Sequence, residues 1–138
     1  DPAMEAAIAE ARATLPLFLT HALDAEGYSL PEALVKVELP TVAGSPIDGE
    51  HIWIAPFAQT GEGAFVGFLA NAPVHLGPLR LGDRVDFTAD MISDWHFTAP
   101  SGRYWGSFTS RVMHGAGAFG DTPFDQLFEP DPVPADWR

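Results

Sequence analysis

Apolar residues at the start of the chain recur at steps of three and four. Met4, Ile8, Ala11, Leu15, Phe18, Leu19 and Ala22 form a single stripe, the signature of an amphipathic helix. Asp1 is a good N-cap, and Pro2 stands at the first helical position, where its missing N–H costs nothing. Glu5 and Glu10 suit the positive end of the helix dipole. Pro16 falls inside the stripe, removes one backbone hydrogen bond and crowds the carbonyl of Arg12. The stripe keeps its phase across the proline to Leu23, which predicts one kinked helix closed by Gly27.

After Pro31 the period changes to two. Val35, Val37 and Leu39 alternate with Lys36 and Glu38, a half-buried strand ended by Pro40. Ala43-Gly44-Ser45-Pro46 and Asp48-Gly49 are turn chemistry. Glu50 to Phe57 reads as the next strand, with Pro56 putting its far end on an edge or at a bulge. Thr60-Gly61-Glu62-Gly63 then forms a hairpin turn into Ala64–Leu69, and Asn71-Ala72-Pro73 turns the chain out. Val85, Phe87, Ala89 and Met91 share one face of a strand that continues through Ile92-Ser93-Asp94-Trp95 by way of a bulge, where the apolar phase shifts. Pro100-Ser101-Gly102 is a turn, and Arg103 to Val112 is the last strand.

This order predicts an α+β fold, an N-terminal kinked helix packed on an antiparallel sheet of about five strands. A partly closed, SH3-like barrel is the competing architecture, since the strands are short and punctuated by glycine. Residues 1–114 read as a single domain. From Gly115 to Arg138 the composition shifts to an acidic, proline-rich C-terminal tail, expected along the surface apart from one helical turn carrying Phe124, Leu127 and Phe128.

The length of 138 residues fits one domain, and 46% apolar content is enough for a core without staples. The chain contains no cysteine, which removes disulfides, thiol nucleophiles and cysteine-based zinc sites. Seven basic residues face nineteen acidic ones, for a net charge of −12, and Lys36 is the only lysine. Nucleic acid and anionic membrane surfaces are therefore excluded as expected partners, and a basic protein partner is electrostatically easier. No stretch approaches the ~20 apolar residues of a membrane span. The absence of cysteine fits cytosol and periplasm alike, and a cytoplasmic location is the expectation. The chain begins at Asp1, so a periplasmic location after removal of a leader is the alternative.

Two constellations offer chemistry. On a strand, Asp94 and His96 point to one side and Trp95 to the other. A carboxylate beside an imidazole can orient a general base, and Arg111 would supply an anion clamp, which together suit a small hydrolase or isomerase. The favoured reading is structural instead: Asp94 accepts backbone N–H bonds at a bulge or pairs with Arg111, while Trp95 fills the core. Glu50, His51, His75, His96 and His114 are metal-ligand types, but no His-x-His or His-x-x-x-His spacing gathers them, so no metal site and no cofactor are expected. Ser101, Ser107 and Thr109 lie in no Gly-x-Ser-x-Gly elbow. Lys36 reads as a solvent-facing strand residue, with Glu38 on its side as partner should the face be covered. Trp53, Trp95 and Trp105 are core residues by default, or a binding surface where the sheet face is open.

Several blocks taken in order add a resemblance: Leu15-Pro16-Leu17-Phe18, Val35-Lys36-Val37, Glu50-His51-Ile52-Trp53-Ile54, Gly67-Phe68-Leu69-Ala70-Asn71-Ala72-Pro73, Leu81-Gly82-Asp83-Arg84-Val85, Ile92-Ser93-Asp94-Trp95 and Gly106-Ser107-Phe108-Thr109-Ser110-Arg111. With them the chain resembles the bacterial domain-of-unknown-function family 2314, of which YegJ-like proteins are members, over residues 1–113. The resemblance implies an uncharacterised bacterial domain and brings no reaction, cofactor or catalytic residue with it. The favoured expectation is a non-enzymatic protein-binding or interaction module that meets its partner through an aromatic patch near Trp53, Trp95 or Trp105, with Lys36 beside it. An immunity-like, toxin-neutralising role is one version. The Asp94–His96 enzyme is the alternative, and self-association through an edge strand is a further expectation.

Overall fold

The computed structural model describes residues 1–138. Its first element, α1 (Pro2–Ala22), runs unbroken through Pro16, which lies on the exposed side. The Asp1 carboxylate accepts the Ala3 N–H at 2.9 Å, as an N-cap should. Ala7, Ala11, Leu15, Phe18 and Ala22 are buried. The helix ends where Leu23 turns extended (φ −104°, ψ 140°), before Gly27 is reached.

Six strands follow: β1 (Ala33–Pro40), β2 (Gly49–Gly61), β3 (Ala64–Leu69), β4 (Arg84–Thr88), β5 (Ile92–Thr98) and β6 (Tyr104–Gly106). They form one antiparallel sheet in the order β4-β3-β2-β1-β5-β6. Central β1 alternates as its sequence predicts, with Ala33, Val35, Val37 and Leu39 buried beneath α1. Val35 pairs with Ile54 on one side and Trp95 on the other. Trp95 stacks on Phe18 of α1 with ring centroids 4.9 Å apart, and its indole N–H donates to Thr14 Oγ1 at 2.9 Å.

The sheet is open but strongly curled. β4 and β5 are joined only by a 3-10 turn at Ala89–Met91, yet three strands lie between them in the sheet. On a flat sheet their separation would be ~19 Å. The chain from Thr88 to Ile92 reaches at most ~14 Å. Curling brings these ends together without hydrogen-bonding them, so the barrel alternative is approached but the sheet does not close. Pro56 contributes on β2, where the pairing with β3 shifts between Ile54 and Phe57. The apolar phase shift has two sources: the chain leaves one edge strand and enters beside β1 just before Ile92, and a bulge lies within β5, where Val37 faces Ile92 but Lys36 faces Asp94.

The segment Arg103–Val112, predicted as the last strand, is divided. β6 stops at Gly106, and α2 (Phe108–Gly115) begins after Ser107. Gly106 and Ser107 both have positive φ (66° and 51°), which turns the chain out of the sheet. A Cβ at position 106 would meet the Trp95 ring at 2.4 Å, so only glycine fits there.

The acidic C-terminal stretch runs mostly exposed along the surface, as expected, but it is pinned there by side chains that enter the core. After α3 (Phe124–Leu127), the side chains of Phe128, Val133 and Trp137 are buried. Trp137 fills a niche between Phe97, Trp105 and His21. The prolines there are compatible with an extended strap along β6: Gly106 N–H donates to Pro132 O at 2.7 Å and Glu129 N–H to Tyr104 O at 3.1 Å. Arg111 fastens the strap. Its Nε, Nη1 and Nη2 donate to the carbonyls of Gly106, Glu129 and Tyr104, each at 2.8 Å, and its guanidinium lies over the Phe128 ring.

Arg111→Met is expected to leave three carbonyls without their donor and to lower stability by about 3 kcal/mol. The urea midpoint measures this, and limited chymotrypsin digestion should cut first at Phe124 or Phe128. An unchanged midpoint would count against the strap.

Candidate functional site

Strand alternation sends Val35, Val37, Ile52, Ile54 and Trp95 toward α1, and therefore Lys36, Trp53 and His96 toward the other face. Register then sets neighbours. Lys36 is paired with Trp53 on β2 and with Asp94 on β5, while Leu34 is paired with His96. Residues distant in sequence thus form two adjacent rows on the face opposite α1.

Asp94 is fully buried in the first row. Its Oδ1 accepts the N–H groups of Trp95 (2.8 Å) and Phe108 (3.1 Å), and its Oδ2 accepts the N–H (2.9 Å) and hydroxyl (2.5 Å) of Thr109. Phe108 and Thr109 open α2, so a carboxylate from β5 caps that helix from outside. Burial pushes the Asp94 carboxyl above its usual range, while the Thr109 and Trp95 hydrogen bonds and the Lys36 charge hold it back. Lys36 is half-buried. Its ammonium donates to Thr109 Oγ1 at 3.1 Å and sits 5.3 Å over the Trp53 ring. Burial lowers its pKa, and Asp94 opposes the shift.

The second row lies in a groove of about 330 Å³ lined by Leu34, Trp53, His96, Tyr104 and Phe119, with Asn71, Ser107 and Ser110 as its polar members. His96 Nδ1 is 2.9 Å from Ser107 Oγ, and Nε2 is 2.9 Å from Thr98 Oγ1. The imidazole packs against Tyr104 at 4.6 Å and meets Trp53 edge-on at 6.2 Å. Burial pushes its pKa down to about 4, so it is neutral at pH 7.

Of the residues singled out from sequence, His96 and Trp53 line the groove and Lys36 borders it. Asp94 shares their face, but all its bonds run to β5 and α2, and none reaches His96. Arg111 faces backbone carbonyls and the rings of Phe124 and Phe128. Trp95 is in the core, and Trp105 lies on the helix side with Phe97 and Trp137. The metal-ligand types do not converge. Glu50 accepts the N–H groups of Val74 and His75, His51 contacts Ser93 and Glu38, and His114 reaches Thr122 O. Tyr104, Ser110 and Phe119 carried no sequence signal. Ser107 had one, in the glycine just before it.

Between pH 6.5 and about 4 the unfolded chain binds the His96 proton and the folded chain does not. Stability is therefore full above pH 6.5 and falls by about 3 kcal/mol as pH drops to 4. Asp94 acts with the opposite sign, so the difference between proteins is the readout. Urea midpoints at pH 7.5 and 4.5 should drop more in the wild type than in His96→Gln, and an equal drop in both would refute the assignment. The His96 ring resonances should titrate near pH 4.

No helix is long and apolar enough to cross a membrane. No curated protein and no solved structure matches the chain. A family model described as an uncharacterized protein conserved in bacteria (DUF2314) matches residues 1–119, reaching past α2 and covering every groove residue. The chain therefore belongs to the DUF2314 family of uncharacterised bacterial proteins.

Proposed function

We propose that the protein is an interaction module whose sheet face opposite α1 receives an aromatic or aliphatic side chain from a basic protein partner. The observation that carries this reading is the groove itself. Leu34, Trp53, Tyr104 and Phe119 give it apolar walls, and Asn71, Ser107 and Ser110 supply a few hydrogen-bonding groups, the usual make-up of a recognition pocket. The net charge of −12 favours a cationic partner and speeds its approach. The engagement of Asp94 by α2 and of Arg111 by the strap supports binding over the acid–base reading of Asp94, His96 and Arg111.

The test uses short peptides carrying one central Trp-free aromatic residue flanked by arginines, with acidic-flanked versions as controls. Trp53 lies in the groove, so binding should change intrinsic fluorescence saturably. Trp53→Ala should weaken binding, measured by calorimetry, at least ~10-fold. Raising salt to about 0.5 M should weaken the arginine-flanked peptides specifically. Absence of saturable binding by any basic aromatic peptide would overturn the proposal.

A further inference from the structure

Ser107 is the only non-glycine residue with positive φ (51°, ψ 43°). A serine in that region carries a strain of about 1–3 kcal/mol, which the surroundings must impose. They do so here. The Ser107 N–H donates to Trp95 O at 2.7 Å, Gly106 is pressed against the Trp95 ring, and Asp94 fixes the start of α2 immediately after. The result is a strand, a strained serine and a helix in direct succession. Such a turn aims the Ser107 hydroxyl across the sheet edge at His96. The residue is buried as a whole, and it forms part of the groove wall.

The hydroxyl has a base in place. Ser107 Oγ lies 2.9 Å from His96 Nδ1, and the opposite ring nitrogen lies 2.9 Å from Thr98 Oγ1. With Nε2–H donating to Thr98, the Nδ1 lone pair faces the serine. The position opposite the serine is a hydroxyl, not a carboxylate. His96 is accordingly a weak base, and its proton affinity is lowered further by burial. A weak base suits only acyl donors with good leaving groups. The α2 N–H groups of Phe108 and Thr109 are engaged by Asp94 and cannot serve a developing oxyanion. The remaining groove donors are Ser110 and Asn71, whose amide oxygen accepts the Trp53 N–H at 2.9 Å and whose NH2 group is left for a ligand.

We propose that Ser107 is an acyl-accepting nucleophile activated by His96, acting on aryl esters or thioesters with a short apolar acyl chain held between Trp53, Tyr104 and Phe119. Ser107 Oγ bonds to the acyl carbon as its proton passes to His96 Nδ1. The acyl–leaving-group bond then breaks, and the departing phenolate or thiolate takes that proton. Water attacks the Ser107 ester through the same base, which releases the carboxylic acid and returns the proton to the serine. The step rests on the groove being a ligand site, though not on the partner proposed for it.

The experiment incubates the intact protein with p-nitrophenyl butyrate and reads both p-nitrophenolate release and butyryl mass on Ser107. Expected is a stoichiometric burst with the adduct on Ser107, reduced at least ~10-fold in Ser107→Ala and in His96→Gln. Ser107→Gly, which accepts the positive φ, provides a second variant whose folding is checked by urea denaturation. The acylation rate should rise with a midpoint near pH 4 and then level off. An absent Ser107 adduct, or equal acylation in the folded variants, would overturn the proposal. Peptide binding that survives without any adduct would leave the groove reading standing and sink this one alone.

Discussion

The Asp94 carboxylate is buried completely, and its oxygens collect four hydrogen bonds from two elements far apart in sequence. A buried carboxylate without such donors would cost several kcal/mol. Here it holds the first turn of α2 against β5, with Lys36 as the nearby cation. Once α2 is anchored there, the chain between β6 and α2 has room for only one residue, and Ser107 takes the left-handed conformation. That turn puts Ser107 against His96 and closes one end of the groove.

The same anchoring separates the two faces of the sheet. Trp95, one residue after Asp94, points toward α1 and builds the aromatic core with Phe18, Phe108 and Trp137. Asp94 and His96 point the other way. Since α1 covers only one face, the opposite face keeps half-buried polar groups beside aromatic rings. Partial burial explains the electrostatics: Lys36 and His96 both favour their neutral forms more than they would in water, and Lys36 regains part of the loss from Asp94. Arg111 stays out of the groove because the carbonyls of β6 and the C-terminal strap satisfy its donors.

Much of the fold was legible. Period 3.6 in residues 2–22 and period 2 in β1 arise from local geometry against a single apolar layer, and both appear as read. The end of β6 was hidden because Tyr104 to Phe108 alternates well enough to pass for a strand, while the Gly106-Ser107 turn and the Asp94 cap are set by contacts outside that segment. The three-residue link between β4 and β5 reads as continuous strand, since no local pattern shows that the sheet partner changes there. Of the candidate site, His96, Trp53 and Lys36 were visible as residue types, and their grouping was not.

The sequence by itself determined a helix followed by antiparallel strands, an apolar core beneath that helix, and a strongly acidic surface, because periodicity and composition act over short range. Tertiary structure alone decided that Trp53, Lys36 and Asp94 share one row, that Ser107 meets His96, and that Phe128, Val133 and Trp137 return to the core. Strand order and register, with the curl they impose, fix those neighbours. Both follow from summed burial across the whole chain rather than from any segment's own pattern.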